Sequence, residues 1–187
     1  MKRGTIVLLV VLAVIALLVF SVFGSYNSLV GLDEEVNTQW ANVESKLQRR
    51  YDLIPNLVES VKGAMAQEKE VFTAIADARA KLAGAGSVSD RVEASNELEG
   101  ALSRLLVVVE NYPELKSNQN VTALMDELAG TENRISTERD RYNEVAGKYN
   151  KQRRSFPTNI MAGIFGFEER PYFEATPGAA TAPEVKF

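Results

Sequence analysis

The chain has 187 residues and a net charge of −4, and it contains neither cysteine nor histidine. The lack of cysteine excludes disulfides, thiolate metal sites and a lipid anchor attached through cysteine, and the lack of histidine removes the commonest general base and transition-metal ligand. Abundant alanine, leucine, valine and glutamate predict an all-α protein, while the mild acidity gives no indication of a nucleic-acid partner.

An apolar segment from about Thr5 to Phe23 follows Lys2 and Arg3 at the N-terminus. A helix of roughly 18 to 20 apolar residues is long enough to cross a hydrocarbon core of about 30 Å. A cleaved signal peptide is the alternative, but its apolar core usually has only about 7 to 15 residues. We therefore interpret residues 1–25 as a transmembrane anchor and expect a lipid bilayer as one partner.

The charges that flank this segment indicate an orientation. Lys2 and Arg3 precede it, and the first charged residues after it are Asp33, Glu34 and Glu35. The positive-inside rule predicts a cytoplasmic N-terminus and places the rest of the chain outside. Two basic residues are a modest signal, so the reverse topology stays open.

Apolar periodicity predicts four helices over residues 26–156. Apolar residues recur at three- and four-residue steps from Leu29 to Leu47, from Leu53 to Leu82 and from Val92 to Val109. The second pattern ends at the turn-forming sequence GAGS (84–87), and the third ends before Pro113. The fourth is an unbroken heptad seam, composed of Val121, Leu124, Leu128, Thr131, Ile135, Glu138, Tyr142, Val145 and Tyr149.

The stretch QRRYDLIPNLV (48–58) decides between a turn and one bent helix. Apolar residues continue in phase through it, which favours a bend. Arg49 and Arg50, however, suit the end of a helix, and Asp52 suits an N-cap that leaves Pro55 in the next first turn. A turn also yields rods of comparable length, so we predict an antiparallel up-and-down four-helix bundle behind the anchor.

Two further segments follow the bundle. Residues 157–169, preceded by Phe156, are rich in apolar side chains that include Phe165 and Phe167. They either cap the open end of the bundle or dip into the headgroup region of a membrane. Residues 170–187 lose periodicity and contain several Pro, Ala and Gly, so we expect an extended or disordered tail.

The chain resembles the LemA family, which includes the magnetosome-associated MamQ-type proteins. The likeness is carried by the anchor, Trp40, LQRRYDLIPNLVESVKG (47–63), ELAGTENRISTERDRYNEVAGKYN (127–150), SFPTNIMAGIFGFEERPYF (155–173) and the closing APEVKF. The resemblance implies a membrane-anchored helical bundle in the cell (inner) membrane of a bacterium. It also implies a turn at Asp52–Pro55, no established enzymatic activity and no cofactor.

Each candidate interaction residue has a structural and a functional interpretation. Arg49, Arg50 and Asp52 either cap a helix junction or form a docking surface for an acidic partner. Lys151, Arg153 and Arg154 either end a solvated helix or meet anionic headgroups. Val185 and Phe187 could enter an apolar pocket beside a site for the terminal carboxylate. A metal site at Glu138 is disfavoured because bundles that bind metals use several glutamates and histidines.

These observations lead to one favoured function and two alternatives. The favoured one is a non-enzymatic membrane scaffold that forms homo-oligomers. The first alternative is a regulatory adaptor that binds another membrane protein, such as a protease or a transport component. An enzyme that uses carboxylates such as Glu132 or Glu138 is the weakest, because no convergent acid–base set is visible.

Overall fold

The computed structural model describes residues 3–173. Within this range all regular secondary structure is helical, which confirms the all-α prediction. Val185 and Phe187, for which we predicted a role in binding, lie outside the described residues. The helices are α1 (Arg3–Lys62), α2 (Lys69–Gly84), α3 (Val88–Val109), α4 (Pro113–Lys116), α5 (Gln119–Arg154) and α6 (Thr158–Phe165).

The predicted turn at Asp52–Pro55 is wrong, because α1 continues through Pro55 to Lys62 without interruption. A proline inside a helix costs about 3 kcal/mol. Ile54, Leu57 and Val61 around it are buried in the core, and burying each such side chain contributes about 1.5–3 kcal/mol. Packing on both sides of Pro55 therefore exceeds the local cost of the proline.

The first break after the apolar segment comes later, at residues 63–68, between α1 and α2. The predicted stop at GAGS (84–87) is confirmed, because α2 ends at Gly84 and α3 begins at Val88. Ser87 and Asp90 form a capping box there: the Asp90 amide donates to Ser87 Oγ, and the Ser87 amide donates to Asp90 Oδ2, both at 3.1 Å. These bonds satisfy amides that the first turn of α3 leaves without helical partners.

The described part of the chain divides into two compact units. The anchor unit comprises residues 3–41 and 141–172, and the core unit comprises residues 42–140 and Phe173. Helices α1 and α5 contribute residues to both units.

The core unit is built around one hydrophobic cluster. The C-terminal part of α1, together with α2, α3, α4 and the N-terminal part of α5, supplies its buried side chains, among them Leu57, Ile75, Leu105, Leu115 and Leu128. Helices α2 and α3 pack against each other. Four helical segments and one short helix therefore share a single core.

In the anchor unit, α1 and α5 supply buried side chains at seven-residue spacing. Leu29 and Val36 are buried on α1, and Tyr142 and Tyr149 are buried on α5. The rings of Trp40 and Tyr142 meet edge to face, with centroids 5.5 Å apart. The predicted heptad seam of α5 is thus buried here through its aromatic members.

The first part of α1 presents an apolar surface. Leu8 to Leu17 and Phe20 are exposed wherever their side chains are described, and the most apolar 18-residue window has a mean hydropathy of 2.9. Among the described residues, this is the one helix long and apolar enough to cross a membrane.

Candidate functional site

The core unit contains a buried arginine cluster, formed by Arg50, Ser95, Glu99, Glu132 and Arg139. The Arg50 side chain is fully buried. Its Nη1 donates to Glu132 Oε2 at 3.2 Å, and its Nη2 donates to Ser95 Oγ at 2.6 Å. Arg139 donates to Glu99 Oε2 at 2.9 Å and to the same Ser95 Oγ at 2.7 Å. The cluster therefore links α1, α3 and α5.

Burial has the largest influence on the ionisation of this cluster. Burial lowers the pKa of Arg50 despite its attraction to Glu132. Burial likewise raises the pKa of the Glu132 carboxyl, although Arg50 opposes the shift. For both groups, the loss of water opposes the charged form, and the partner's charge favours it.

The basic residues predicted as a helix junction therefore separate into different environments. Arg50 points into the core, whereas Arg49 is exposed and forms an ion pair with Glu127. Asp52 is not an N-cap, because it lies inside α1, where it accepts a hydrogen bond from Gln48 Nε2 at 2.8 Å. Arg49 and Asp52 do share an open polar depression, also lined by Ser45, Lys46, Gln48, Thr131 and Arg134.

A polar network in the anchor unit holds the non-helical segment that follows α6. Asn150 is fully buried, and its Nδ2 donates to the Arg170 carbonyl at 2.8 Å while its Oδ1 accepts from the Arg170 amide at 2.9 Å. The Arg170 guanidinium donates to Asp33 Oδ1 at 2.7 Å. Residues 166–173, here called the strap, are thus tied to both α1 and α5.

The basic end of α5 takes part in the same network. Arg153 Nε donates to the Phe167 carbonyl at 2.8 Å, and its Nη1 lies 3.5 Å from Glu169 Oε2. Arg154 Nε donates to the Asn150 carbonyl at 3.4 Å. Lys151 and Arg154 are exposed, so Arg153 is the member of the predicted basic group that mainly holds the strap.

Helix α6 has one buried and one exposed side. Thr158 and Ala162 are buried, whereas Ile160 and Ile164 are exposed. Together with exposed Phe156, which precedes the helix, these two residues are here called the α6 stripe. Phe165 and Phe167 both contact Tyr26 of α1, with ring centroids 4.8 and 6.1 Å away. The segment therefore packs on one side and offers an apolar surface on the other.

Sequence reasoning missed the buried role of Arg50, although a signal existed. Leu29, Val36 and Val43 are buried at seven-residue steps, and the next steps are Arg50 and Leu57. The seven-residue spacing predicts that the side chain at position 50 is buried. The charge of Arg50 instead suits the end of a helix, and this second interpretation is wrong. Asn150 and Arg170 were missed as a pair because no periodicity connects α5 with a non-helical segment.

The polar side chains of these two networks pair with one another and with the backbone. Within residues 3–173, no three acidic side chains are placed together to hold a metal ion. The acidic residues of the arginine cluster are each paired with an arginine. The carboxylates of Glu99 and Glu132 accept hydrogen bonds from these arginines.

Comparison with known proteins is consistent with this architecture. The LemA family profile matches residues 39–187. The chain belongs to the LemA family. Magnetosome protein MamQ 2 of Paramagnetospirillum magneticum is 30% identical over 182 residues, covering 83% of this chain and 67% of the relative.

Two further relatives support the same family assignment. Magnetosome protein MamQ of Magnetospirillum gryphiswaldense is 28% identical over 182 residues, with coverage of 83% and 67%. Protein LemA of Metamycoplasma hominis is 23% identical over 154 residues, covering 82% of this chain and 70% of the relative. The names of these LemA-family relatives designate no enzyme.

Proposed function

We propose that this LemA-family chain is a non-enzymatic scaffold, anchored by one membrane span in the bacterial cell (inner) membrane, where copies of it self-associate. The observation that carries the proposal is the continuity of α1: one helix bears the exposed apolar segment and also supplies core residues such as Ile54 and Leu57. The flanking charges favour a cytoplasmic N-terminus.

We also infer that the core unit is an antiparallel helix bundle. Only residues 85–87 separate α2 from α3, and these two helices pack against each other. Short connections of this kind join antiparallel neighbours. Such a unit presents helix faces, which are the surfaces that scaffolds use for association.

Two features support association between copies. A membrane anchor confines the chains to two dimensions, which raises their effective concentration without any new contact. Val107 on α3 is a large apolar residue that the core unit leaves exposed. Separately, the charges of the arginine cluster pair with one another, and this favours contact over catalysis as the function.

Crosslinking in native membranes tests self-association. The full chain is expressed over a series of levels, treated with a lysine-reactive crosslinker and analysed by immunoblot. We expect dimers and larger species whose share saturates with expression. A variant carrying an unrelated spanning helix in place of residues 1–25 shows how much association the anchor contributes. Monomers alone at every expression level would contradict the proposal.

An adaptor that binds another membrane protein is the second candidate. It is supported by the open depression, in which the basic residues Lys46, Arg49 and Arg134 outnumber the acidic Asp52, an excess of positive charge suited to an acidic partner. Deleting residues 182–187 or changing Arg49 and Arg134 to serine should abolish co-purification of a partner and leave self-association intact. Arg104→Ser, at an exposed position on α3, is the matched control. If the protein in which Arg49 and Arg134 are changed to serine retains the partner, the depression is not the docking site of that partner.

A further inference from the structure

We propose that the α6 stripe lies in the lipid headgroup region, on the side of the bilayer where α1 leaves it. The occupant of this surface is a phospholipid membrane with anionic headgroups. The proposal rests on the anchoring part of the proposed function and adds a second membrane contact to it.

The contacts of Tyr26 place α6 beside the end of the apolar segment of α1. Phe165 and Phe167 pack on Tyr26, which follows Phe23 by three residues. Three helical residues correspond to about 4.5 Å along the axis. If the apolar segment spans the membrane, α6 is held within about one helical turn of its end.

The register of α5 on α1 leads to the same position. Tyr142 packs on Trp40. Arg170 connects Tyr149 with Asp33, because its guanidinium carbon lies 5.9 Å from the centroid of the Tyr149 ring and its Nη2 donates to Asp33 Oδ1 at 2.7 Å. A step of seven residues along α5 thus matches a step of seven residues back along α1. One further step back along α1 reaches Tyr26, and the chain that follows the end of α5 at Arg154 leads into α6 there.

The α6 stripe has the pattern of an in-plane amphipathic surface. Ile160 and Ile164 are about one helical turn apart on α6 and are 52% and 69% exposed, and Phe156, in the turn before α6, is 82% exposed. Thr158 and Ala162 on the other side are buried. An amphipathic helix at a membrane has one apolar side turned toward the acyl chains and its other side turned away.

Two observations favour lipid over a second protein as the occupant. Phe165 and Phe167 hold α6 near the end of the apolar segment of α1, where Phe20 and Phe23 are exposed, and a lipid environment accounts for both exposed apolar surfaces. Lys151 and Arg154, exposed at the end of α5, precede the stripe. Cations next to an apolar stripe are typical of segments that bind anionic headgroups.

Site-directed spin labelling of the full chain tests the proposal, and the lack of native cysteine makes single labels unambiguous. Three variants, Ile160→Cys, Val14→Cys and Glu144→Cys, are labelled with a nitroxide and reconstituted into vesicles of phosphatidylcholine and phosphatidylglycerol. Collision rates with oxygen, which concentrates in lipid, and with a water-soluble nickel chelate give the depth of each label. Val14 reports the span, and Glu144 is an exposed position on α5.

We expect the Ile160 label to be oxygen-accessible and protected from nickel, at about 5–10 Å depth, as for interfacial helices. Glu144 should be accessible to nickel and Val14 deeper than Ile160. A water-like Ile160 with a deep Val14 would overturn this inference and leave the anchor in place. An Ile160 label protected from both reagents would overturn it in favour of a protein occupant, such as a second copy or the tail. A water-like Val14 would contradict the anchor itself.

Discussion

The two units bury polar side chains at related positions but pair them differently. In the core unit, Arg50 occupies a seam position of α1 and pairs with charged and hydroxyl groups on α3 and α5. In the anchor unit, Asn150 is next to seam residue Tyr149 and binds the backbone of the strap. Tyr149 donates to the Glu168 carbonyl at 2.9 Å.

The arginine cluster and the neutral polar groups of the anchor unit contribute differently to the fold. A buried charged cluster loses much of its attraction to desolvation, and its arginines keep unsatisfied atoms: Nε of Arg50 and of Arg139 has no hydrogen-bond partner within the described residues. Its hydrogen bonds join α1, α3 and α5 at defined positions. The neutral groups of the anchor unit instead satisfy backbone atoms that no helix would pair. The first cluster orders helices, and the second orders a segment without helical structure.

The largest expected effect comes from Arg50→Ala. It leaves Glu132, whose side chain is 29% exposed, without its partner, and breaking a buried pair costs about 3–5 kcal/mol. Thermal unfolding of the full chain in detergent, followed by circular dichroism, measures the loss. Arg49→Ala is the matched control, because its side chain is 57% exposed and surface pairs contribute about 1 kcal/mol or less.

A double variant sharpens this result. Arg50→Met combined with Glu132→Leu removes both charges and should recover most of the stability lost in Arg50→Ala, since apolar replacement of a buried pair is often neutral. Equal losses for Arg50→Ala and Arg49→Ala would show that the cluster does not stabilise the core unit.

Asn150→Ala should have the next largest effect. It removes both hydrogen bonds to Arg170 and leaves buried backbone groups unpaired, at a cost of about 2–3 kcal/mol. Hydrogen exchange read by mass spectrometry should show faster exchange across residues 166–173. Asn159→Ala, at an exposed position on α6, serves as the control. Unchanged protection of the strap would mean that Asn150 does not hold it.

Acidification should produce a smaller effect through Glu132. Burial raises the pKa of this carboxyl in the folded chain, so the folded state binds the proton more tightly than the unfolded state. As the pH falls from that raised pKa through the unfolded value of about 4.3, wild type should gain stability relative to Glu132→Gln. Unfolding free energies of the two chains, compared at several pH values, measure this gain. A relative loss on acidification would show that Arg50 outweighs the burial of Glu132.

The smallest effect is expected for Lys148→Ala. Lys148 Nζ lies 2.7 Å from Glu144 Oε1 on an exposed face of α5, where solvent and salt screen the attraction. The melting temperature of Lys148→Ala should equal that of wild type, both at low salt and at high salt. A decrease comparable to that of Asn150→Ala would show that exposed pairs contribute more to the anchor unit than its buried network does.

The sequence was sufficient for α5 and for the break between α2 and α3. Both have strong local signals, namely an uninterrupted heptad seam and the turn-forming sequence GAGS (84–87). The course of α1 was mispredicted because the cost of Pro55 is local and visible in the sequence. The burial of Ile54 and Leu57 that offsets it depends on helices distant in the chain.

The candidate sites were predicted less well, for a related reason. Arginine at position 50 fits two descriptions, a helix end by charge and a seam position by spacing, and only the partners on α3 and α5 decide between them. The ordering of Arg170 depends on Asn150, which lies 20 residues away. Neither the pairing of Arg50 nor that of Asn150 with Arg170 produces a periodic pattern in the sequence.

The mass of the full chain in native-lipid discs tests the central claim most directly. Discs extracted from the membrane without detergent keep the neighbours of each chain, and mass photometry with a disc-only reference gives the protein content. The scaffold account predicts particles that contain multiples of the 20.6 kDa chain with no other stoichiometric protein. A single copy in each disc at all expression levels, or one copy bound to a different protein, would contradict it.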